Sequence, residues 1–174
     1  MKKLLIFMAF IAISQAVMAQ TASLDRFIRK HKRTAEGDKV DMTIPGFVVR
    51  FGARFIDKED LEGVDIRRIS RKIDELRVVT FEKAAKIQHA DYQQLMTDVK
   101  AENFEELMSV REKGGERVNV MLRERKGFIE DILIIVNDED RAFTLINLAG
   151  KFTMADINKI MEKVDFNSTK KNSK

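Results

Sequence analysis

The stretch that decides the fold runs from Phe104 to Lys151 and reads FEELMSVREKGGERVNVMLRERKGFIEDILIIVNDEDRAFTLINLAGK. It contains four runs of strand-favouring residues, and residues typical of turns separate each run from the next. These turn signals are Gly114-Gly115, Gly127 after a charged cluster, and a polar loop from Asn137 to Asp140. The pattern predicts an antiparallel β-meander of about four strands.

Two of these runs indicate how the sheet is covered. Residues 118–123 alternate, so Val118, Val120 and Leu122 share one face of their strand. Ile132 to Val136 is apolar throughout, which is typical of a central strand covered on both faces. We therefore expect a helical layer on one face of the sheet. The N-terminal segments or a partner chain would cover the other face, which allows a homodimer through the sheet.

The flanking segments predict further strands and amphipathic helices. Two strands are predicted, at Val40 to Ile44 and at Leu76 to Thr80. Apolar residues at helical spacing predict helices starting at Ser23, at Pro45, at Asp65 (through Ile73), at Phe81 or Glu82 (to Val99), and at Thr153. Residues 20–166 are thus expected to form one α+β domain, with the meander and one or two N-terminal strands packed against several amphipathic helices.

An aromatic row follows the single proline of the chain. Phe47, Phe51 and Phe55 recur every four residues, which is the spacing of one helical face. Such a row can line a ligand pocket, but it more often packs against a sheet. We expect these three rings in the core.

The N-terminus has the pattern of a secretory signal peptide. Two lysines precede a short apolar run from Leu4 to Ile13, which is too short to span a membrane. Small or compact residues occupy the two positions that signal peptidase reads. They predict cleavage between Ala19 and Gln20. The chain has no cysteine, so it is not expected to be a lipoprotein or to contain disulfides. A periplasmic or secreted protein without a stable membrane span is predicted, with a disordered basic tail at residues 167–174.

The charge balance argues against a nucleic-acid partner. The formal net charge is +4, and Lys2 and Lys3 in the leader contribute two of these charges. A nucleic-acid-binding protein concentrates a larger positive charge on one face. The basic side of the first helix, which includes Arg26, Arg29 and Lys30, is expected to be solvated rather than a lipid-binding patch.

The search for catalytic chemistry yields no candidate site. His31 and His89 are the only histidines, and the sequence contains no zinc motif, nucleophile elbow or phosphate-binding glycine loop. Residues 57–65 resemble a calcium loop, but Leu61 and Gly63 break its ligand pattern. No catalytic, cofactor-binding or metal-binding residue is therefore predicted, and no cofactor is expected.

Neighbouring carboxylates are the remaining chemical feature. They occur at Glu105-Glu106, at Glu130-Asp131 and at residues 138–140. A glycosidase needs two carboxylates on opposite sides of its substrate, whereas these are sequence neighbours. We expect them at solvated strand edges and turns.

Several segments resemble a known bacterial family of small envelope proteins. They are Gly63-Val64-Asp65-Ile66, Phe104 to Val110, Gly115 to Val118, Phe143 to Gly150 and the helix at Asp156-Ile157. The family is the domain-of-unknown-function group four-two-five-two, and the likeness extends from about Leu24 to Met161. Some of its members are lipoproteins, from which this chain departs because it lacks the cysteine. The resemblance implies a cell-envelope protein of unassigned function and no active-site residues.

We therefore expect a non-catalytic binding or interaction module, not an enzyme, whose partner is an envelope protein or a small ligand. Two alternatives stay open. One is a carboxylate-dependent hydrolase, which requires acidic residues that converge in a pocket. The other is a periplasmic modulator of an envelope stress pathway, which would act through a partner protein.

Overall fold

The computed structural model describes residues 22–34, 37–55, 66–82, 87–111, 115–138 and 141–161. The predicted signal peptide and the predicted basic tail both lie outside these ranges. The described elements, in chain order, are α1 (Ala22–Thr34), β1 (Lys39–Pro45), α2 (Gly46–Gly52), α3 (Ile66–Ser70), β2 (Ile73–Glu82), α4 (His89–Ala101), β3 (Glu105–Arg111), β4 (Arg117–Arg125), β5 (Phe128–Asn137), β6 (Ala142–Phe152) and α5 (Met154–Met161).

The six strands form one sheet in the order β1-β2-β6-β5-β4-β3, and every neighbouring pair is antiparallel. Strands β3 to β6 are the predicted meander, and β1 and β2 are the two additional N-terminal strands. The pairing of β2 with β6 joins the two parts, because it places the last strand of the meander in the middle of the sheet. The predicted α+β class is confirmed.

A tight turn joins β4 and β5, and a register shift follows it between Glu124 and Arg123. Arg125 pairs with Phe128, so only Lys126 and Gly127 lie between the strands. Both have positive φ angles, 53° and 79°, which is the backbone of a type I′ hairpin. Gly115 also has a positive φ, as the glycine pair predicts, whereas Gly114 lies outside the described residues.

Helices α1 and α4 cover one side of the sheet. The core between them and the strands contains Leu24 and Ile28 of α1, Leu95 and Val99 of α4, and apolar residues from the strands. The strand residues of this core are Val79, Phe81, Met121, Leu133, Ile135, Phe143 and Leu145. This is the helical layer that the apolar run in β5 predicts.

Two predicted helices have different boundaries in the structure. The helix expected from Phe81 or Glu82 begins only at His89, because Phe81 is a fully buried residue of β2. The helix expected to run through Ile73 is the short α3, and Ile73 begins β2 instead. In both cases an apolar residue fits the helical spacing but lies in a strand. Its conformation is set by hydrogen bonds to the neighbouring strand rather than by local sequence preference.

The ends of α4 and α5 follow local signals. Asn103 follows α4 with φ of 66°, and the N–H of Phe104 donates to the carbonyl of Val99 at 3.1 Å, which is a Schellman-type ending. At α5, the N–H of Thr153 donates to Asp156, and the N–H of Asp156 points back to the Thr153 hydroxyl at 3.3 Å. This reciprocal arrangement is a capping box at the helix start predicted at Thr153.

Candidate functional site

Among the residues that the structure describes, the side of the sheet that faces away from α1 and α4 is covered at one end only. Helices α2 and α5 and the turn after α3 lie over the covered end, where Ile73, Phe152 and Ile157 are buried in a second core. Next to it lies a surface that we call the open face, three residues of which, Met108, Ile134 and Leu148, also pack against the second core. Its residues are Val40, Met42, Ile44, Leu76, Val78, Thr80, Met108, Val110, Val118, Ile134, Val136, Thr144, Ile146 and Leu148.

The open face is apolar and carries no charge. Twelve of its fourteen residues are aliphatic or methionine, and each one is partly or fully exposed. Val40 and Met42 at the edge strand β1 are 45% and 47% exposed. The two polar residues, Thr80 and Thr144, are register partners whose hydroxyl groups lie 3.3 Å apart. One of the two hydroxyls can donate to the other, so these polar groups are partly paired within the face.

The aromatic row on α2 is not in the core, so that prediction is wrong. Phe47, Phe51 and Phe55 are 65%, 58% and 73% exposed, while Val49 on the opposite side of the helix packs into the second core. The rings of Phe51 and Phe55 contact each other edge-on, with centroids 5.2 Å apart. Helix α2 packs on β1 and β2, so these rings extend the exposed apolar surface beside the open face.

The opposite, helix-covered side contains buried polar groups that sequence reasoning missed. The Tyr92 hydroxyl on α4 donates to the Asn119 side chain on β4, and Asn119 in turn donates to Ser109 at 3.1 Å. Burial raises the pKa of Tyr92; Arg117 opposes this rise and Glu106 adds to it. Tyr92 therefore stays a protonated donor at neutral pH. Its partner lies 27 residues away, so no local pattern could have linked them.

The two histidines lie in different surroundings and do not meet. His31 on α1 is buried between Phe27 and Phe81, with Nε2 at 3.6 Å from a carboxylate oxygen of Asp91. Burial lowers the pKa of His31, although Asp91 counteracts this, and Lys30 lowers it further. His89 is exposed at the start of α4.

A groove of about 270 Å³ runs between α1 and α4 beside His31. It is lined by Asp91 and Asp98, but the cations of the basic side of α1 already pair with them. Lys30 donates to Asp91 at 2.7 Å, and Arg26 lies 3.4 Å from Asp98. The groove is thus lined by ion pairs that link the two helices. Most of the basic side of α1 is solvated, as expected.

The carboxylate pairs are only partly where the sequence predicts. Glu105 and Glu106 are exposed, and with Glu124 they line a small cavity of about 100 Å³. Asp131, expected at a solvated edge, is instead buried in an ion pair with Arg123. That expectation is wrong, because the partner directly opposite on β4 compensates the charge. Residues 139 and 140 of the third cluster lie outside the described residues.

Two further findings concern the described part of the chain. There, no group of three or more histidines, aspartates and glutamates comes together as a metal site. The same residues contain no helix that is long and apolar enough to cross a membrane. The calcium-like segment at residues 57–65 lies outside the described ranges.

The geometry thus defines an α+β protein with one side of its sheet covered by two helices and an open apolar face on the other. The family model DUF4252, a domain of unknown function, matches residues 34–160. This chain belongs to that family, which confirms the resemblance seen in the sequence. No curated protein and no solved structure matches the chain.

Proposed function

We propose that this protein is a non-catalytic interaction module of the cell envelope, and that its open face binds a second copy of the chain. The observation that carries the proposal is the extent of apolar surface on one side of a well-formed sheet. Monomeric proteins rarely expose a contiguous apolar patch of more than a few hundred Å², and larger patches mark interaction surfaces.

The size of the open face suits a protein partner. Six strands about 4.8 Å apart and about 20 Å of their length give a flat area on the order of 500 Å². The exposed rings of Phe47 and Phe51 on α2 add to this area. The total approaches the ~800 Å² that each partner buries in an interface of standard size.

The chemistry of the open face favours a second copy as that partner. A two-fold dimer brings the same residues together from both subunits, so any charge on the face would meet its own copy. The fourteen residues of the open face include no charged side chain, and the two threonines already pair with each other. Two such sheets can pack face to face in the way that a β-sandwich does.

Location in the envelope is supported by the position of the predicted cleavage site. Cleavage between Ala19 and Gln20 would release the leader two residues before α1 begins at Ala22. The buried residues Leu24 and Ile28 of α1 would remain with the mature chain. The cleavage is therefore compatible with the core. Intact-mass measurement on the protein from a periplasmic or culture fraction is expected to give a chain that starts at Gln20.

Light scattering over a concentration series tests self-association of the mature chain. We expect a dimer for the wild type, and Met42→Lys should shift it to a monomer because it places a charge on an exposed position of the open face. Thr97→Lys, on the exposed side of α4, is the matched control and should remain dimeric. A wild-type monomer at every concentration would contradict the proposal. Crosslinking from Met42 to another envelope protein would then identify a different occupant.

A carboxylate-dependent hydrolase is the alternative, and the cavity lined by Glu105, Glu106 and Glu124 favours it. The same cavity is lined by the buried apolar residues Leu122 and Ile129, so three exposed carboxylates lie beside an apolar wall. Hydrolysis of model glycosides by the wild type, lost in Glu106→Gln and in Glu124→Gln, would support this alternative. A dimeric protein without such activity would support the interaction module.

A further inference from the structure

A polar cleft of about 240 Å³ lies on the helix-covered side of the sheet, away from the open face. The cleft lies where α4 no longer covers the sheet and the edge strand β3 extends beyond the helix. One wall is α4, with Gln93, Met96 and Lys100, and the other is formed by β3 and β4. The cleft shares no lining residue with the open face except Val110 at its rim.

Cationic side chains outnumber carboxylates around this cleft. Arg111 on β3 and Arg117 on β4 are register partners, so their side chains leave the same face of the sheet directly opposite each other. Like charges directly opposite each other destabilise a sheet. The Arg117 guanidinium also lies 5.8 Å from the centre of the Tyr92 ring and 3.3 Å from Nδ1 of His89, so it is held at the wall of the cleft. Lys100 adds a third cation from α4, and Glu106 is the only carboxylate among the lining residues.

The charge of Glu106 is already engaged within the cleft. Its carboxylate lies 3.8 Å from the Lys100 ammonium and 3.5 Å from the Asn119 amide nitrogen. Arg111, by contrast, makes no hydrogen bond or ion pair with any residue that the structure describes. Its guanidinium is exposed on the edge strand β3, at the mouth of the cleft.

The floor of the cleft is built from groups whose hydrogen bonds have a fixed direction. Tyr92 donates to Asn119, and Asn119 donates to Ser109. Because the Ser109 oxygen accepts this bond, its own hydrogen is left to donate toward the cleft. Tyr92 and Asn119 are both at least nine-tenths buried, so the floor is held rigidly beneath the three cations.

We propose that this cleft binds a small organic anion, with a phosphate, sulfate or carboxylate group between Arg111 and Arg117. The arginine pair supplies planar donors that match two oxygens of such a group, and Lys100 and the Ser109 hydroxyl complete its surroundings. The apolar side chain of Met96 in the α4 wall contacts the remainder of the ligand. The volume exceeds that of an inorganic oxyanion, which is why the ligand is an organic molecule.

Thermal unfolding in the presence of inorganic phosphate or of citrate, against sodium chloride at equal ionic strength, tests the site. A ligand that binds the folded state raises the unfolding temperature in a saturable manner. We expect this rise for the wild type with one of the two anions. Phosphate and citrate separate a phosphate or sulfate ligand from a carboxylate ligand.

The matched variants are Arg111→Gln in the cleft and Arg29→Gln on the exposed side of α1, which remove the same charge in different places. Arg111→Gln should weaken binding by about tenfold or more, since it removes a charge-assisted contact. Arg29→Gln should bind as the wild type does. Amide chemical shifts should report the change at Ser109 and Asn119. A wild type without saturable binding, or an equal loss in both variants, would overturn the proposal.

Discussion

Arg123 on β4 and Asp131 on β5 lie directly opposite each other and form a buried ion pair on the helix-covered side of the sheet. The Arg123 Nε donates to a carboxylate oxygen of Asp131 at 3.0 Å, and a second guanidinium nitrogen contacts the same oxygen. Both side chains are almost fully buried, and the guanidinium lies over the Phe104 ring at 4.7 Å. A register shift between Glu124 and Arg123 separates the pair from the type I′ turn, so the pair belongs to the shifted register of the central strands.

Removing one partner of this pair should destabilise the protein strongly. In Arg123→Met, the Asp131 carboxylate would be left buried without its cation, which typically costs about 3–5 kcal/mol of unfolding free energy. The double variant Arg123→Met with Asp131→Leu should recover most of this loss, because no buried charge remains. Urea unfolding of the three proteins measures the coupling. A single variant as stable as the wild type would contradict the role of the pair.

Gly150 on β6 should tolerate no side chain. A Cβ atom there would lie 2.2 Å from the carbonyl oxygen of Lys72, so Gly150→Ala requires the backbone before β2 to move. Overpacking of this kind costs about 1–3 kcal/mol or more. The control is Gly52→Ala on α2, where no atom lies within 4 Å of the added carbon. Thermal unfolding should show a loss for Gly150→Ala alone, and an equal response in both variants would contradict the close approach.

The meander could be predicted from sequence because its signals are local. The Lys126-Gly127 turn needs only two residues with positive φ, and the apolar run of β5 needs only strand length and β-branched side chains. The capping box at Thr153 and Asp156 is likewise contained in four residues. Each of these signals lies within a few consecutive residues. The local structure that it predicts therefore does not depend on tertiary contacts.

The aromatic row and the buried polar groups depend on contacts that the sequence does not display. Helical spacing predicts that Phe47, Phe51 and Phe55 share one side of a helix, but it does not show which side faces the sheet, and α2 ends at Gly52, before Phe55. The structure turns Val49 inward, because the close approach of Gly46 to the carbonyl of Ile73 fixes the helix on the start of β2. Residue spacing therefore identifies which side chains share a helix face, but only tertiary packing decides whether that face is buried or exposed.

The same limit applies to the polar residues of β4 and β5. Asn119, Arg123 and Asp131 have the alternation of solvent-facing positions, yet all three are buried. Their hydrogen-bond and ion-pair partners lie on neighbouring strands or on α4. These partners are brought close only by the tertiary fold, so the sequence alone does not show that these polar groups can be buried. This is also why the anion cleft was not visible in the sequence, since the register pair Arg111 and Arg117 exists only once β3 and β4 are paired.

Asp156 should control stability in acid. Burial alone would raise the pKa of this carboxyl, but hydrogen bonds from Lys72 and from the N–H and hydroxyl of Thr153 outweigh burial and hold the pKa well below its usual range. Because the folded-state pKa is lowered, this stabilisation is complete above the unfolded value of about 3.8 and is lost as the pH falls below it.

Asp156→Asn should therefore cost about 1.5–3 kcal/mol at neutral pH, which is the range for hydrogen bonds to a charged group, and should flatten the loss of stability in acid. The exposed Asp74→Asn on β2 is the matched control and should leave the acid response unchanged. Urea unfolding between pH values of about 6 and about 3 measures both effects, since this range brackets the usual carboxyl pKa. An Asp156→Asn protein with the acid sensitivity of the wild type would contradict the prediction.

His31 should make the protein less stable under mildly acidic conditions. Burial lowers its pKa below the ordinary value of 6.5, in spite of the nearby Asp91 carboxylate, and Lys30 adds to the lowering. The unfolded chain then takes up the proton more readily, so the free energy of unfolding should fall as the pH drops from about 7 to about 5.5. Each unit by which the folded-state pKa is lowered is worth about 1.4 kcal/mol. His31→Gln should remove this dependence, while the exposed His89→Gln should keep it, and the two variants together account for both histidines of the chain. If the wild type instead became more stable over this range, the attraction of Asp91 would outweigh burial and His31 would be charged in the folded protein.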